Sequence, residues 1–262
     1  MKKVGLALGA GSARGLAHIG VLKILLEEKI PVDFIAGTSA GSIVGGMLAA
    51  GKTIDEMKMQ AYKAARKRFA LFADPTIPRM GLVKGKRIQE TLNEIYGKIS
   101  FNDLKIPFCC IATDIDTGQP VIMREGLVAD AVLASCTIPV MLTAVKKDER
   151  FLVDGMLVDP VPVNIVRAMG ADVVIAVNVM PVIIRPLELD KSPNVLKVLM
   201  QTLHITSFQL IKSSLAGADI VIEPQVNHIG YFDFHRVDEC ISLGEEACRN
   251  VVSRIKSLIA GP

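Results

Sequence analysis

Val32-Asp33-Phe34-Ile35-Ala36-Gly37-Thr38-Ser39-Ala40-Gly41 is the stretch that decides how this chain is read. Val32 to Ala36 has the character of a short buried strand, and Ser42 to Ala50 is small and apolar enough for a buried helix. Between them lies Gly-x-Ser-x-Gly. A strand, a sharp turn and a helix in that order are the context of a nucleophile elbow, in which a serine sits exposed at the tip of a strained turn. Gly37 and Gly41 supply the absence of bulk that such a turn needs, and Ala40 adds little. Ser39 then projects its hydroxyl to the same side as the amide of Ala40.

Working outward, a second unit of the same kind precedes it. Val4 to Leu8 is an unbroken apolar run, the signature of a strand buried on both faces. Gly9-Ala10-Gly11-Ser12-Ala13-Arg14-Gly15 follows, and then Leu16, Ile19, Leu22, Leu25 and Leu26 recur at helical spacing. Downstream, Pro107 to Asp114, Pro120 to Met123, Phe151 to Val153, Asp172 to Val179 and Asp219 to Ile222 read as strands. Helices are expected over Thr53 to about Ala70, Lys86 to Tyr96, Leu127 to Ser135, Val163 to Met169, Val195 to Leu215 and Val237 to Ile259. Strands alternating with helices predict a three-layer α/β/α fold with a mainly parallel central sheet. No repeat or charge block marks a boundary, so residues 1–262 are expected to form one domain.

Composition narrows the function classes. The 262 residues are 50% hydrophobic and carry a net charge of +3. That balance is far from a nucleic-acid footprint, and the absence of Trp leaves few platforms for stacked bases. No nucleic-acid partner is expected. The five cysteines show no CxxC spacing and read as reduced thiols of a cytosolic protein. Met1 to Val4 leads straight into a strand, unlike a signal peptide. Phe34 to Gly51 lacks formal charge over 18 residues, but its glycines fit a strand and a helix inside a protein better than a membrane span. The expected location is the cytoplasm, with peripheral contact at the inner membrane face as an added option. That contact would use Lys63, Arg66, Lys67 and Arg68 beside Phe69, residues that first of all fit a solvated helix face.

Ligands of open parallel sheets bind beyond the carboxyl ends of the strands. Three features fall there: the Gly9–Gly15 loop, Ser39, and Asp154 with Gly155. A dinucleotide loop would need a glycine where Arg14 stands and an acidic residue at the end of the second strand, whereas Asp33 precedes that strand. The other chemistry open to the loop is an oxyanion hole. Amides of Gly11 and Ser12 would face developing negative charge at a helix N-terminus. A serine hydroxyl needs a base. His18 and His204 read as structural, while His228 and His235 follow Asp154 in the Ser, Asp, His order of α/β-hydrolases.

Taken together, Leu8 to Leu22, Gly37-Thr38-Ser39-Ala40-Gly41 and Asp154-Gly155 resemble the patatin-like phospholipases, specifically the small bacterial members. Ala134-Ser135 with Pro139 is similar to the segment that family carries between nucleophile and aspartate. The resemblance covers roughly residues 4 to 166. It implies a Ser–Asp dyad, with Ser39 as nucleophile and Asp154 as the base. Gly9, Ala10, Gly11, Ser12, Arg14, Gly15 and Ala40 would form the oxyanion loop and its surroundings. It implies hydrolysis of lipid acyl esters with no cofactor and no metal. This chain departs from the family pattern at Ala10 and Ser12 within the glycine run, and at Met156 and Pro160 after the aspartate. The acyl groove is expected at Ile77 to Leu82 or Val182 to Ile184, segments that would equally serve as core or as a homo-oligomer contact. Two readings from other classes stand beside the hydrolase: a regulatory or adaptor protein on the same fold, and a nucleotide-binding α/β protein.

Overall fold

Val4–Leu8 forms β1, buried along its whole length, because the chain packs helices against both of its faces. A computed structural model describes residues 2–67, 74, 81–180 and 195–260. After β1 come α1 (Ala17–Glu27), β2 (Phe34–Thr38), α2 (Ala40–Ala49), α3 (Ile54–Lys67) and α4 (Lys86–Tyr96). Next are β3 (Phe108–Asp114), β4 (Pro120–Met123), α5 (Val128–Ser135), β5 (Val145–Lys147), β6 (Arg150–Asp154) and α6 (Val163–Ala168). The described chain ends with β7 (Val173–Val177), α7 (Val195–Leu215), β8 (Ile220–Ile222), α8 (Val237–Arg249) and α9 (Val252–Ala260).

The strands form one sheet in the order β5-β6-β3-β2-β1-β7-β8, with β4 also paired to β3. The β3-β2-β1-β7-β8 portion is parallel throughout. Side chains of β1 alternate between two cores. Val4, Leu6 and Leu8 join Leu22, Leu25, Val44 and Ile241 on the broad face, covered by α1, α2 and α8. Ala7 joins Val163 and Val166 on the opposite face, beneath α6. A Cβ at Gly5 would lie 2.0 Å from Val166 Cγ1, so the bare glycine is what lets α6 press on the sheet. This is the three-layer, mostly parallel arrangement expected from the sequence.

Three departures have local causes. Pure alternation predicts parallel strands, but β4, β5 and β6 run antiparallel. The turns at Thr117-Gly118 and Asp148-Glu149 are too short for a crossover, and short turns join antiparallel neighbours. Asp148 and Glu149 both take positive φ (47° and 61°), as a two-residue hairpin demands. Strand β5, only three residues long, escapes the sequence reading altogether. The expected helix Val237 to Ile259 is broken at Asn250-Val251 into α8 and α9; Asn favours helix ends over interiors. Finally, β2 starts two residues later than read. Val32 and Asp33 lie outside it, and the Asp33 carboxylate accepts the amide of Val4 at 2.7 Å. Of the segments singled out from the sequence, Arg68, Phe69, Ile77 to Met80 and Val182 to Ile184 lie outside the described residues. Among the described residues no helix is long and apolar enough to cross a membrane.

Candidate active site

Ser39 occupies the one-residue turn between β2 and α2, at φ 53° and ψ −121°. A non-glycine residue there is strained, and such strain persists only where the surroundings over-determine it. The surroundings are tight. A Cβ at Gly41 would lie 2.1 Å from the carbonyl oxygen of Leu8, and one at Gly37 would lie 2.6 Å from that of Gly41. The Ser39 amide donates to Ser135 Oγ (2.9 Å), and its carbonyl accepts both the amide (2.8 Å) and the hydroxyl (2.6 Å) of Ser42. Backbone, partner and glycines fix the serine, whose residue is only 8% exposed.

Asp154 reaches the same place from the opposite direction. Thr38 pairs with Ile111 of β3, so Ser39 is level with the next residue, Ala112. Ala112 pairs with Asp154, the last residue of antiparallel β6. The two side chains therefore meet across the small Ala112. Ser39 Oγ donates to Asp154 Oδ2 at 2.6 Å, and Met156 N donates to Oδ1 at 2.9 Å. Hydrogen bonds from Asp154 N to Thr137 O (2.8 Å) and from the Thr113 hydroxyl Oγ1 to Asp154 O (2.8 Å) hold its main chain. Gly155 is required, since a Cβ there would sit 2.3 Å from Ile111 O. Asp154 is fully buried, and desolvation pushes its carboxyl up to about 7 against the opposing hydrogen bonds from Ser39 and Met156. A carboxyl that titrates near neutrality is the result.

The loop after β1 begins at Gly9 and passes into a 3-10 turn, Ser12–Leu16, before α1. Four of its amides are occupied: Gly9 bonds Val177 O, Ala10 bonds Pro160 O, Ala13 bonds Tyr231 O and Arg14 bonds Gly11 O. The amides of Gly11 and Ser12 fall between these and take no carbonyl among the described residues. Ala40 N begins α2, where helix amides lack internal acceptors. Gly11, Ser12, Ser39 and Asp154 line one small common cavity. Gly15 admits the elbow, because a Cβ there would meet that of Ala40 at 2.4 Å. Arg14 stands elsewhere: its Nε donates to Ile229 O (2.7 Å) and its guanidinium lies 4.4 Å from the Tyr231 ring centroid, bracing the loop from behind. Both departures after the aspartate act through backbone, Met156 by its amide and Pro160 by its carbonyl, so their side chains matter little to these contacts.

The histidines divide as follows. His18 is fully buried and donates from Nε2 to Gly9 O at 2.8 Å. Burial holds its pKa down to about 4, so it is neutral and serves as a brace for the loop. His204 is buried edge-on to Tyr231, their centroids 6.1 Å apart. His228 lies exposed against Glu239 (2.7 Å), and His235 is exposed. The carboxylate bonded to Ser39 is direct, with no imidazole between them. Asp33, whose carboxylate caps β1 at its amino end, is not where a ribose-binding acid would stand.

The sequence reading missed the cavity beside Ser39, of about 180 Å³. Three helices each contribute one stripe to it at i, i+3, i+4, i+7 spacing. On α2 these are Ala40, Ile43, Val44 and Met47; on α3, Met57, Gln60, Ala61 and Ala64; on α4, Ile88, Thr91, Leu92 and Ile95. Such stripes normally close on one another. Here they stand apart around a space that begins at Ser39. The periodicity was visible, but a helical stripe reads as core until the packing is known.

Comparison with known proteins identifies the family. The family model for patatin-like phospholipases matches residues 6–167. This chain belongs to that family. An uncharacterized NTE family protein of Mycobacterium tuberculosis is 31% identical over 98% of this chain and 48% of its own length. A second from that organism is 36% identical over 67% of this chain and 49% of itself. The lysophospholipase nte1 of Aspergillus fumigatus is 35% identical over 68% of this chain but only 12% of itself. The chain thus spans about half the length of the mycobacterial relatives, and far less of the fungal one. In fold it is similar to VipD from Legionella pneumophila, with a TM-score of 0.56 at 12% identity, covering 97% of this chain and 67% of that one.

Proposed function

We propose that this chain is a serine acyl hydrolase that cleaves carboxylic esters of lipids through an acyl-Ser39 intermediate. The observation that carries the reading is the 2.6 Å hydrogen bond from Ser39 Oγ to the buried Asp154 carboxylate, at the edge of an apolar cavity. Ser39 Oγ attacks the ester carbon while Asp154 takes its proton. Negative charge on the carbonyl oxygen is received by the amides of Gly11, Ser12 and Ala40. Collapse expels the alcohol, to which Asp154 returns the proton. Water then attacks the acyl-enzyme, again giving its proton to Asp154, and Ser39 is regenerated as the acid departs. With one carboxyl serving as base and acid, esters suit the site better than amides, whose leaving groups need stronger protonation.

Labelling by a fluorophosphonate probe tests this. The wild type should label, and Ser39→Ala should not. Asp154→Asn should lose about two to four orders of magnitude in labelling rate, the range of general-base catalysis. The wild-type rate should rise through about pH 7 as Asp154 ionises. Undiminished labelling in Asp154→Asn would remove Asp154 from the mechanism, and labelling of Ser39→Ala would remove Ser39.

A further inference from the structure

Ser39 opens onto a cavity that runs beside α2. The lining residues of that helix, from Ala40 to Met47, span seven residue steps, or about 11 Å at 1.5 Å per residue. Beyond lies a second, smaller space of about 30 Å³. The two share Met47, Gln60 and Ile95, which therefore form the partition between them. The smaller space is also lined by Lys52 and Glu56, a surface ion pair at 3.4 Å. An otherwise apolar passage thus ends on a polar, charged exit.

We propose that the large cavity holds the acyl chain of the ester, laid along α2, and that Met47, Gln60 and Ile95 set its maximum length. This rests on the acyl-hydrolase reading and adds a substrate class to it: medium-chain acyl esters. A zigzag hydrocarbon advances about 1.25 Å per methylene for C–C bonds near 1.52 Å, so about 11 Å admits roughly eight to ten carbons. A longer chain must displace the partition or drive methylenes against Gln60 and the Lys52–Glu56 pair. Each methylene that fits gains transfer free energy, and each that does not forfeits it. Selectivity by chain length follows from where the passage stops.

The test uses p-nitrophenyl esters from four to sixteen carbons at one detergent concentration, with the wild type, Met47→Ala, Gln60→Ala and Ser39→Ala. Rates are compared as variant-to-wild-type ratios at each length, in which partitioning into detergent cancels. The wild type should be fastest near eight to ten carbons. Shortening the partition should raise the fourteen-to-eight-carbon rate ratio by about tenfold, the scale of discrimination by one or two methylenes in a pocket. Met47 is 3% exposed and its loss could unfold the chain; Gln60, half-buried on α3, can become alanine without disturbing the helix. A wild type that prefers sixteen carbons, or ratios flat with length in both variants, overturns the inference. Ester hydrolysis that is absent, or equal in Ser39→Ala, overturns the acyl-hydrolase reading instead.

Discussion

Two turns stand side by side at the carboxyl edge of the sheet, and they are built in opposite ways. The elbow after β2 is local: one strained residue, two glycines and a helix that begins at once. The loop after β1 is assembled from a distance. Its amides bond carbonyls of Val177, Pro160 and Tyr231, His18 holds Gly9, and Arg14 leans on Tyr231. A nucleophile can be positioned by its own backbone. In the proposed mechanism oxyanion donors must be positioned against it, so the amides of Gly11 and Ser12 depend on residues up to about 220 positions away in sequence. The two turns also touch. The carbonyl of Leu8, just before the loop, faces the bare Cα of Gly41 in the elbow.

Breaking that contact gives the largest expected effect. In Gly41→Ala the new methyl would lie 2.1 Å from Leu8 O and 2.8 Å from Gly9 O, both backbone atoms that cannot rotate away. We predict a loss above about 4 kcal/mol, the range of severe core overpacking, or failure to fold. Gly97→Ala is the control: it has positive φ but nothing within 4 Å, and should cost only the backbone strain of about 1–3 kcal/mol. Denaturant unfolding of the two variants compares them. Equal stability would mean that the two turns are not in contact as described.

The same comparison can be sharpened with pH, because each turn is hydrogen-bonded to one buried titrating group and their signs are opposite. Asp154 has its carboxyl raised from 3.8 to about 7 in the folded protein. Its contribution is therefore fully present below pH 3.8 and lost as pH rises through about 7. His18 is lowered from 6.5 to about 4. Its contribution is present above pH 6.5 and lost as pH falls through about 4. At 1.36 kcal/mol per pKa unit, the two amount to about 4 and about 3 kcal/mol as upper values. Between pH 4 and 6.5 they oppose one another, and the wild type should show little net slope from this pair. Asp154→Asn should be more stable than the wild type at pH 8, with an advantage that shrinks as the pH is lowered towards 4. His18→Gln, which can still donate to Gly9 O, should gain on the wild type as the pH falls below 6.5. Thermal unfolding of the three proteins from pH 4 to 8 checks this. Differences that do not change with pH would show that neither group titrates as its burial requires.

How much could be read in advance follows the same division. The elbow was legible because Gly37, Ser39 and Gly41 lie within five residues, and local sterics need no partner. Asp154 was legible through its glycine neighbour and the family resemblance. Its route was not, since antiparallel β6 depends on a hairpin at Asp148-Glu149 that lacks the usual Gly or Asn. The loop's supports were illegible, because nothing near Gly9 in sequence announces Pro160 or Tyr231. His18 was rightly read as structural, though its bond to Gly9 was not foreseen. The cavity was missed for a further reason. Ile43, Val44 and Met47 have the spacing of core residues, and sequence periodicity carries no information on whether facing stripes meet or stand apart.

The smallest effect isolates the strain in the elbow. At φ 53° and ψ −121°, Ser39 holds a conformation that costs a side-chain-bearing residue about 1–3 kcal/mol, whichever side chain it is. Ser39→Ala keeps that strain and removes the hydrogen bond to Asp154. Ser39→Gly removes the same bond but releases the strain, less about 0.5–1 kcal/mol for the added freedom of glycine in the unfolded chain. The glycine variant should therefore exceed the alanine variant by about 1 kcal/mol, or about 2 °C in Tm for a chain of this size. Both lack the Ser39 hydroxyl, so activity cannot confound the comparison. If alanine proves the more stable, the turn is relaxed, and the serine is positioned by its hydrogen bonds to Ser135 and Asp154 rather than by its backbone.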